Sequence, residues 1–577
     1  MAPWVARWYL TGRPGFHTPF DWPLLAFLVT AIVSLWAAFD RSSAGSKFWL
    51  IVGAILLYYA FANWAADRGS KALSIQAWML AVIGPVLAVY LMLSHDWDAY
   101  PSKISVITQI GQSIRSTVPT LSLERFHPNV LAGAMALMIP FSAGVTVVSW
   151  NEGRRREFVL GLGLVLFTAA GLFMSGSRGT WVAIAGAFII VIWWLVTRLL
   201  VVGRRRRRSW FVGTITFVLL SVAVIVIVAP NLADKVFSGL PSLESGLTRA
   251  DLYRNSLILI NDYPFIGAGL DNFMMLYSSY ALLLHVGFST HGHNLLLDLT
   301  IQQGIIAVFI FLWMLLLMGE AVWRVMRVKR RRKRGSSGPE SQARQQNSRQ
   351  GVLLGAASLS IFILVVHGLV DDAVYGTRMV VLMFVPFAFA VPVLIKARTP
   401  TSKEQVRAVL IGVGILALIL IFTWRPVLSL VNSNLAAVQQ GKAELGVYKW
   451  PDWPVQDAVR REVDLVPAVN SYERALSLNP GNASANRRLG QIELSTGEYE
   501  DALRHLKVAY AQAPWDNATR IMLGEAYLAN GRVDDGAAFW SLANNDQGQL
   551  DLRTAWYKNG EYAELFDHVK STVELQR

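Results

Sequence analysis

Two histidines and a few arginines carry most of the reactive potential of this 577-residue chain. His291 and His293 bracket a glycine in HGHN, His291 to Asn294, directly ahead of the apolar stretch LLLDLTIQQGIIAVFIF. An imidazole has an unperturbed pKa of about 6.5, which suits proton transfer at neutral pH. A metal site is the other reading of a His pair, but it needs further ligands, and neither HExxH nor CxxC is present to supply them. No metal and no cofactor are therefore expected. Arg178, in SGSRGTW (Ser175 to Trp181), lies in a short turn between two apolar runs. Ionisable groups at membrane depth are costly to place, which makes Arg178 a functional candidate, with a snorkelling or helix-capping arginine as the alternative. Arg249 and Arg254 fall in TRADLYRNSLILINDYPFIGAGLDNF, from Thr248. There Leu252 to Ile260 reads as an amphipathic helix with both arginines near its start, and Pro264, Gly267 and Gly269 turn the chain after it. His367, Asp371 and Asp372, at the end of a later apolar run, are placed to line the same pocket, although an interfacial cluster satisfied by its neighbours is the favoured role.

The elements that must position these groups are membrane helices. The chain is 54% hydrophobic and only 16% charged, with a mean hydropathy of +0.39, too apolar for the core of a soluble protein. Apolar runs reach about 18 to 22 residues, the length that crosses a ~30 Å hydrocarbon layer. Spans are placed near 23–39, 47–65, 73–94, 128–149, 158–174, 179–200, 210–229, 300–322, 351–370, 377–396 and 407–424, about eleven in all. Met1 to Asp21 has aromatics and scattered charge rather than a cleavable apolar leader, so no signal peptide is expected. With no cysteine, domains outside the cytoplasm must be held by packing without disulfides.

Orientation comes from charge. Arg154 to Arg156, Arg204 to Arg208 and the run from Arg324 to Arg334 supply three, five and eight positive charges, and without these sixteen the net charge of +14 becomes −2. Lys and Arg beside spans are retained on the cytoplasmic side. Nucleic-acid binding is disfavoured, because no soluble domain carries the clusters with interleaved aromatics. An odd number of spans then puts the N-terminus in the cytoplasm and everything after Trp424 outside, together with 95–127 and a large loop at about 230–299. Residues 335–350 read as a flexible cytoplasmic linker. Long ordered loops on a rigid scaffold are frequent carriers of function.

The chain after the last span repeats. Leu489 and Gly490 recur as Leu523 and Gly524, Gly497 as Gly531 and Ala475 as Ala509, each 34 residues on, with Pro480 and Pro514 ending the second helix of each unit. This is the tetratricopeptide period. NGEYAEL from Asn559 suggests a degenerate later unit. The expected organisation is all-α: residues 1–429 as a polytopic transmembrane bundle, and 430–577 as an extracytoplasmic helical-repeat domain that binds a partner or substrate or mediates assembly.

In this order and on one face, the motifs resemble the O-antigen ligase and polymerase family of membrane glycosyltransferases, which also includes protein O-oligosaccharyltransferases. They are HPN with LA at His127 to Ala132, SRGTW at Ser177 to Trp181, R-x-D-x-Y at Arg249 to Tyr253, PFIGAG at Pro264 to Gly269, and HGHN leading to QQG at Gln302 to Gly304. The resemblance covers about 130 to 310 well and the rest mainly through topology. It implies a GT-C-like bundle that transfers a glycan from an undecaprenyl-diphosphate carrier to an acceptor at the outer face of the bacterial cytoplasmic membrane, without a metal, in cell-envelope polysaccharide biosynthesis. Arg178, Arg249 and Arg254 would hold the carrier diphosphate. His293, with His291 as second choice, would be the catalytic imidazole, and Asn294, Pro264, Gly267 and Gly269 would support the site. The family commonly has Glu where Gln302 stands and Gln where Asp298 stands, which bears on the substrate more than the reaction. A glycan, lipid or protein acceptor remains open, and so does ligase against polymerase against protein O-glycosyltransferase. A transporter or non-catalytic scaffold is the reading of another class. A transporter would more often show charged or broken segments in mid-span, whereas the polar candidates here gather at one face.

Overall fold

The computed structural model describes residues 15–117, 124–200, 213–214, 249–283, 289–327, 339–395, 402–447 and 456–542. In lipid, every backbone N–H and C=O of a lone spanning segment must be satisfied within that segment, and helices do this. In chain order they are α1 Asp21–Ala37, α2 Arg41–Arg68, α3 Ser70–Ser94, α4 Ser105–Thr117, α5 Pro128–Asn151, α6 Arg155–Met174, α7 Arg178–Leu200, α8 Arg249–Asp262, α9 Phe273–Tyr277, α10 Leu295–Gln303, α11 Ile305–Arg327, α12 Pro339–Gly368, α13 Val391–Ile395 and α14 Ser402–Leu445, followed by α15 Gln456–Glu462, α16 Val466–Leu478, α17 Ala483–Thr496, α18 Tyr499–Gln512, α19 Asn517–Ala529 and α20 Val533–Leu542. The all-α class expected from the sequence is borne out: among the described residues there is no strand.

Eight described segments are long and apolar enough to cross a membrane: α2, α3, α5, α6, most of α7, α11, residues 345–368 of α12, and Arg378–Ile395. Helix α1, with 17 residues, falls just short of that length. The outward faces of these helices are apolar; on α7, Phe188 and Ile189 are each 64% exposed and Leu199 is 81% exposed. Such a surface is stable against hydrocarbon and not against water. The chain is a multi-pass membrane protein.

Three expected spans differ from the helices observed. The run 300–322 is split by Gly304, whose φ of +80° no helix accommodates, into the short α10 and the spanning α11. The run 377–396 is a pair of 3-10 turns, Arg378–Leu382 and Val385–Ala390, leading into α13. Pro386 and Pro392 there lack the N–H that a continuous α-helix needs. The expected span at 407–424 lies inside the 44-residue helix α14, which runs on without a break to Leu445. The span expected at 210–229 and the cluster Arg204 to Arg208 fall outside the described residues apart from 213–214, as does NGEYAEL from Asn559.

Helix α5 runs antiparallel to α6 and α12, α3 runs alongside α6 in the same direction, and all of them pack closely through small residues. A Cβ on Gly171 of α6 would lie 2.3 Å from that of Ala88 on α3, so only glycine lets these two helices touch. The bundle thus has two distinct ends. At one, Arg349 of α12 and Arg154 share Glu152, and Val325, between Arg324 and Arg327 of α11, lies against Gly351. The C-terminus of α12 and the N-termini of α5, α7 and α10 meet at the other.

Helix α14 pairs with α16, α17 with α18 and α19 with α20, while the short α15 packs against α17. The recurring Leu-Gly positions are where the paired helices come closest: a Cβ on Gly490 would lie 2.7 Å from Leu506, and one on Gly524 would lie 2.1 Å from Trp540. Ala475 and Ala509 are buried at the partner positions.

Candidate active site

The HGHN segment is shaped by its own polar groups. Asn294 caps α10, its side chain accepting from Leu296 N and Leu297 N at 3.0 and 3.2 Å. Its amide donates to the Leu369 carbonyl at 3.1 Å, which fastens the turn to the end of α12. Gly292 N donates to Asp298 Oδ1 at 2.8 Å. Between these anchors His293 adopts a left-handed backbone, φ +49°. A non-glycine residue rarely adopts this conformation, and it persists only where the surroundings impose it.

His293 Nδ1 lies 2.8 Å from Asp371 Oδ1, and His291 Nε2 lies 3.8 Å from the same oxygen. The two rings sit 4.1 Å apart, centre to centre. The other oxygen of Asp371 accepts from Asn129 Nδ2 at 3.1 Å and has Arg249 Nη2 4.0 Å away. Asn129 comes from the HPN motif, in which His127 caps α5 by accepting from Asn129 N. Three separated stretches of sequence therefore converge on one carboxylate. Asp371 was placed by sequence only as a pocket-lining or interfacial residue; it is the hub. Its one sequence signal was the pair of aspartates at a span end.

Arg249 is buried at the start of α8, donates to the Val370 carbonyl, and keeps a buried Nε with no partner among the described residues. One turn on, the Tyr253 hydroxyl lies 3.1 to 3.3 Å from the carbonyls of His293, Leu369 and Val370. Burial raises its pKa to about 12, so it remains a donor. Arg254 is on the same helix with its side chain exposed, about 140° around the axis from Arg249. Arg178 is the exposed first residue of α7. The turn beside it is tied to the same place: Thr180 Oγ1 is 2.9 Å from both Ser177 Oγ and His367 Nε2, and a Cβ on Gly179 would meet Val370 at 3.4 Å. Arg178 and Arg249 thus start helices that flank the same segment, His367 to Asp371. This is the bundle end opposite Arg154 and Arg349.

The predicted supporting residues build the floor. PFIGAG lies against QQG, with Ala268 N donating to Ile301 O at 2.6 Å and Ile305 N to Pro264 O at 2.9 Å. A Cβ on Gly267, φ +77°, would lie 2.3 Å from the Gln302 carbonyl oxygen. Gly269, φ +106°, presses equally on Ala38. Asn434 of α14 accepts from Phe265 N and Ile266 N at 3.1 and 2.9 Å.

Burial works against charge on both imidazoles, and their surroundings separate them. For His291 the bond to Asp371 and the charges of Asp298, Asp371 and Asp372 outweigh burial, and the pKa rises. For His293 burial prevails over Asp371, helped by His291 and Arg249, and the pKa falls. Burial opposes the Asp371 carboxylate, yet the two histidines hold its pKa well below the usual range. Burial, followed by Asp298, pushes Asp372 well above it. Neutral His293, donating through Nδ1 to Asp371, keeps its lone pair on Nε2. The two neighbouring imidazoles thus differ in proton affinity, His291 being the more basic.

His291, His293 and Asp371 also lie close enough for all three to reach one metal ion. The surroundings fit a cation poorly. Asp371 already faces Arg249 and Asn129 with one oxygen and His293 with the other, and a divalent ion would add charge beside a buried guanidinium.

A multi-pass helical bundle with an Arg, His and Asp cluster at one end, followed by helix-pair repeats, defines a membrane protein with a candidate site for an anionic ligand. Residues 163–312 match the family model described as O-antigen ligase, and residues 493–555 match the tetratricopeptide repeat. Both agree with the resemblance carried by the motifs, so the chain has an O-antigen ligase-type region followed by tetratricopeptide repeats. No curated protein and no solved structure matches it.

Proposed function

We propose that this protein transfers a glycan from an undecaprenyl-diphosphate-type carrier to an acceptor hydroxyl, with inversion and without a metal, at the outer face of the cytoplasmic membrane. The carrying observation is the His293–Asp371 pair standing beside Arg249 at the non-basic end of the bundle. His293 Nε2 takes the acceptor proton as the acceptor oxygen bonds to the anomeric carbon. The bond from that carbon to the diphosphate oxygen breaks, and its electron pair leaves with the phosphate. Attack from the face opposite the leaving group inverts the centre. Arg178 and Arg249, with His291 beside them, stabilise the charge growing on the diphosphate in a low-dielectric setting. Asp371 fixes the tautomer of His293 and offsets the charge the ring acquires.

The basic clusters set the orientation, with the N-terminus cytoplasmic and the repeat domain, from about residue 430, outside. The lipid tail then remains in the bilayer while its head reaches the site. Experiment assigns the acceptor: purified protein is given a lipid-diphosphate oligosaccharide together with lipid A-core, polypeptide or a second donor. Transfer that His293→Ala abolishes supports this reading, and a wild-type chain inert with all three acceptors defeats it.

A further inference from the structure

The repeat domain is built into the site-bearing loop. On α8, Arg249 and Tyr253 face the His–Asp pair, and Asp262 ends the same helix about 20 Å away. Asp262 is fully buried and belongs to the repeats in all but sequence. Arg487 and Arg488 of α17 both bond its Oδ2, Arg488 at 2.8 Å, and Ser484 bonds its Oδ1 at 2.5 Å. Arg487 also donates to the Tyr280 carbonyl at 2.8 Å. Arg488 lies 3.4 Å over the Tyr280 ring and donates to Tyr263 Oη at 3.0 Å. The Tyr280 hydroxyl in turn meets Glu444 of α14, which Arg460 of α15 also bonds, each at 3.0 Å. Around these ions Leu252, Leu259, Phe273, Tyr277 and Tyr280 share one apolar core with Met522 and Leu523 of α19. Helices α17 and α19, the first helices of successive repeat units, thus grip the chain's own segment 262–283.

We propose that the repeat domain acts as a built-in clamp, with Arg487 and Arg488 as positioning residues that, through Asp262 and Tyr280, hold α8 so that Arg249 and Tyr253 stay in register with His293 and Asp371. The inference rests on the transferase reading for its catalytic consequence, while the clamp itself is a mechanical statement about α8. A salt bridge this deeply buried has little stabilising effect that an apolar pair could not match, but it fixes one geometry. Misplacing a catalytic group by about 1 Å costs on the order of 10²-fold in rate.

The test compares wild type, Arg488→Met and Arg488→Lys as full-length chains in nanodiscs. Asp262 keeps Arg487 and Ser484 in both variants, so the fold survives. Amide hydrogen exchange is read over 249–262 and over 456–542, and transfer kinetics are read with a lipid-diphosphate oligosaccharide. Arg488→Met should speed exchange over 249–262 at least about tenfold and lower kcat about tenfold or more, with the donor KM raised. Arg488→Lys should recover part of both. Faster exchange confined to 456–542, with 249–262 protected as in wild type, overturns the clamp. Faster exchange at 249–262 with unchanged kcat and KM also overturns it. Should the wild-type chain transfer nothing, the proposed function fails, and the exchange of 249–262 alone decides whether the clamp exists.

Discussion

The two ends of α8 carry ionic clusters built on opposite terms. At its C-terminus Asp262, Arg487 and Arg488 are at most 3% exposed at the side chain and meet one another, the Tyr263 hydroxyl and the Tyr280 ring, with Arg488 Nη1 left without a partner among the described residues. At its N-terminus the His291 and His293 side chains are 15% and 19% exposed, and His293 carries a strained backbone. A cluster closed off inside the protein holds one geometry; one whose imidazoles reach the surface can meet a further molecule. One helix therefore connects a buried ion pair to a partly exposed cluster of ionisable groups.

That contrast is broken most sharply at the reactive end. His293→Ala should lower transfer by about 10³-fold, with the thermal transition of the purified chain preserved. Arg249→Ala and Arg178→Ala should each cost on the order of 10²-fold, and Arg249→Lys should recover little, because a point charge lacks the fork that grips a diphosphate. Rates under saturating donor measure both. Asp371→Asn should cost about tenfold and also move the acid limb of the pH–rate profile. His293 must be neutral to act, so activity falls as pH drops through its pKa. Asp371 raises that pKa against the effect of burial, and its loss should move the limb to lower pH. A limb that stays in place would show that His293 is not the titrating base. Chelation should leave the rate unchanged, whereas inactivation by EDTA with recovery on adding a divalent ion would make the His291, His293 and Asp371 group a metal site. Arg254→Ala, on the exposed side of α8, should cost less than about threefold.

Much of this was written locally. Spanning helices, basic clusters and the 34-residue repeat are short-range patterns, and the HGHN and R-x-D-x-Y segments announced themselves by residue type. Convergence on Asp371 was hidden, because its partners Asn129 and His293 lie 242 and 78 residues away, and no periodicity encodes such a distance. The grip of Arg487 on Asp262 spans 225 residues and was hidden for the same reason. The 3-10 turns between Arg378 and Ala390 read as a plain span, because hydropathy registers apolar length and not hydrogen-bond pattern. Asp371 illustrates the cost of reading an acidic pair at a span end as interfacial; its meaning depended on Arg249, on a helix beyond the reach of local pattern.

The central claim is spatial: guanidinium and imidazole groups from distant stretches form one seat for a lipid diphosphate at the non-basic end of the bundle. The structure of His293→Ala bound to a lipid-diphosphate oligosaccharide tests it directly. The account predicts both phosphates within hydrogen-bond reach of Arg178 and Arg249, and the anomeric carbon beside the position vacated by His293. A diphosphate held at the end of the bundle that carries Arg154 and Arg349, or on the repeat helices, would contradict it.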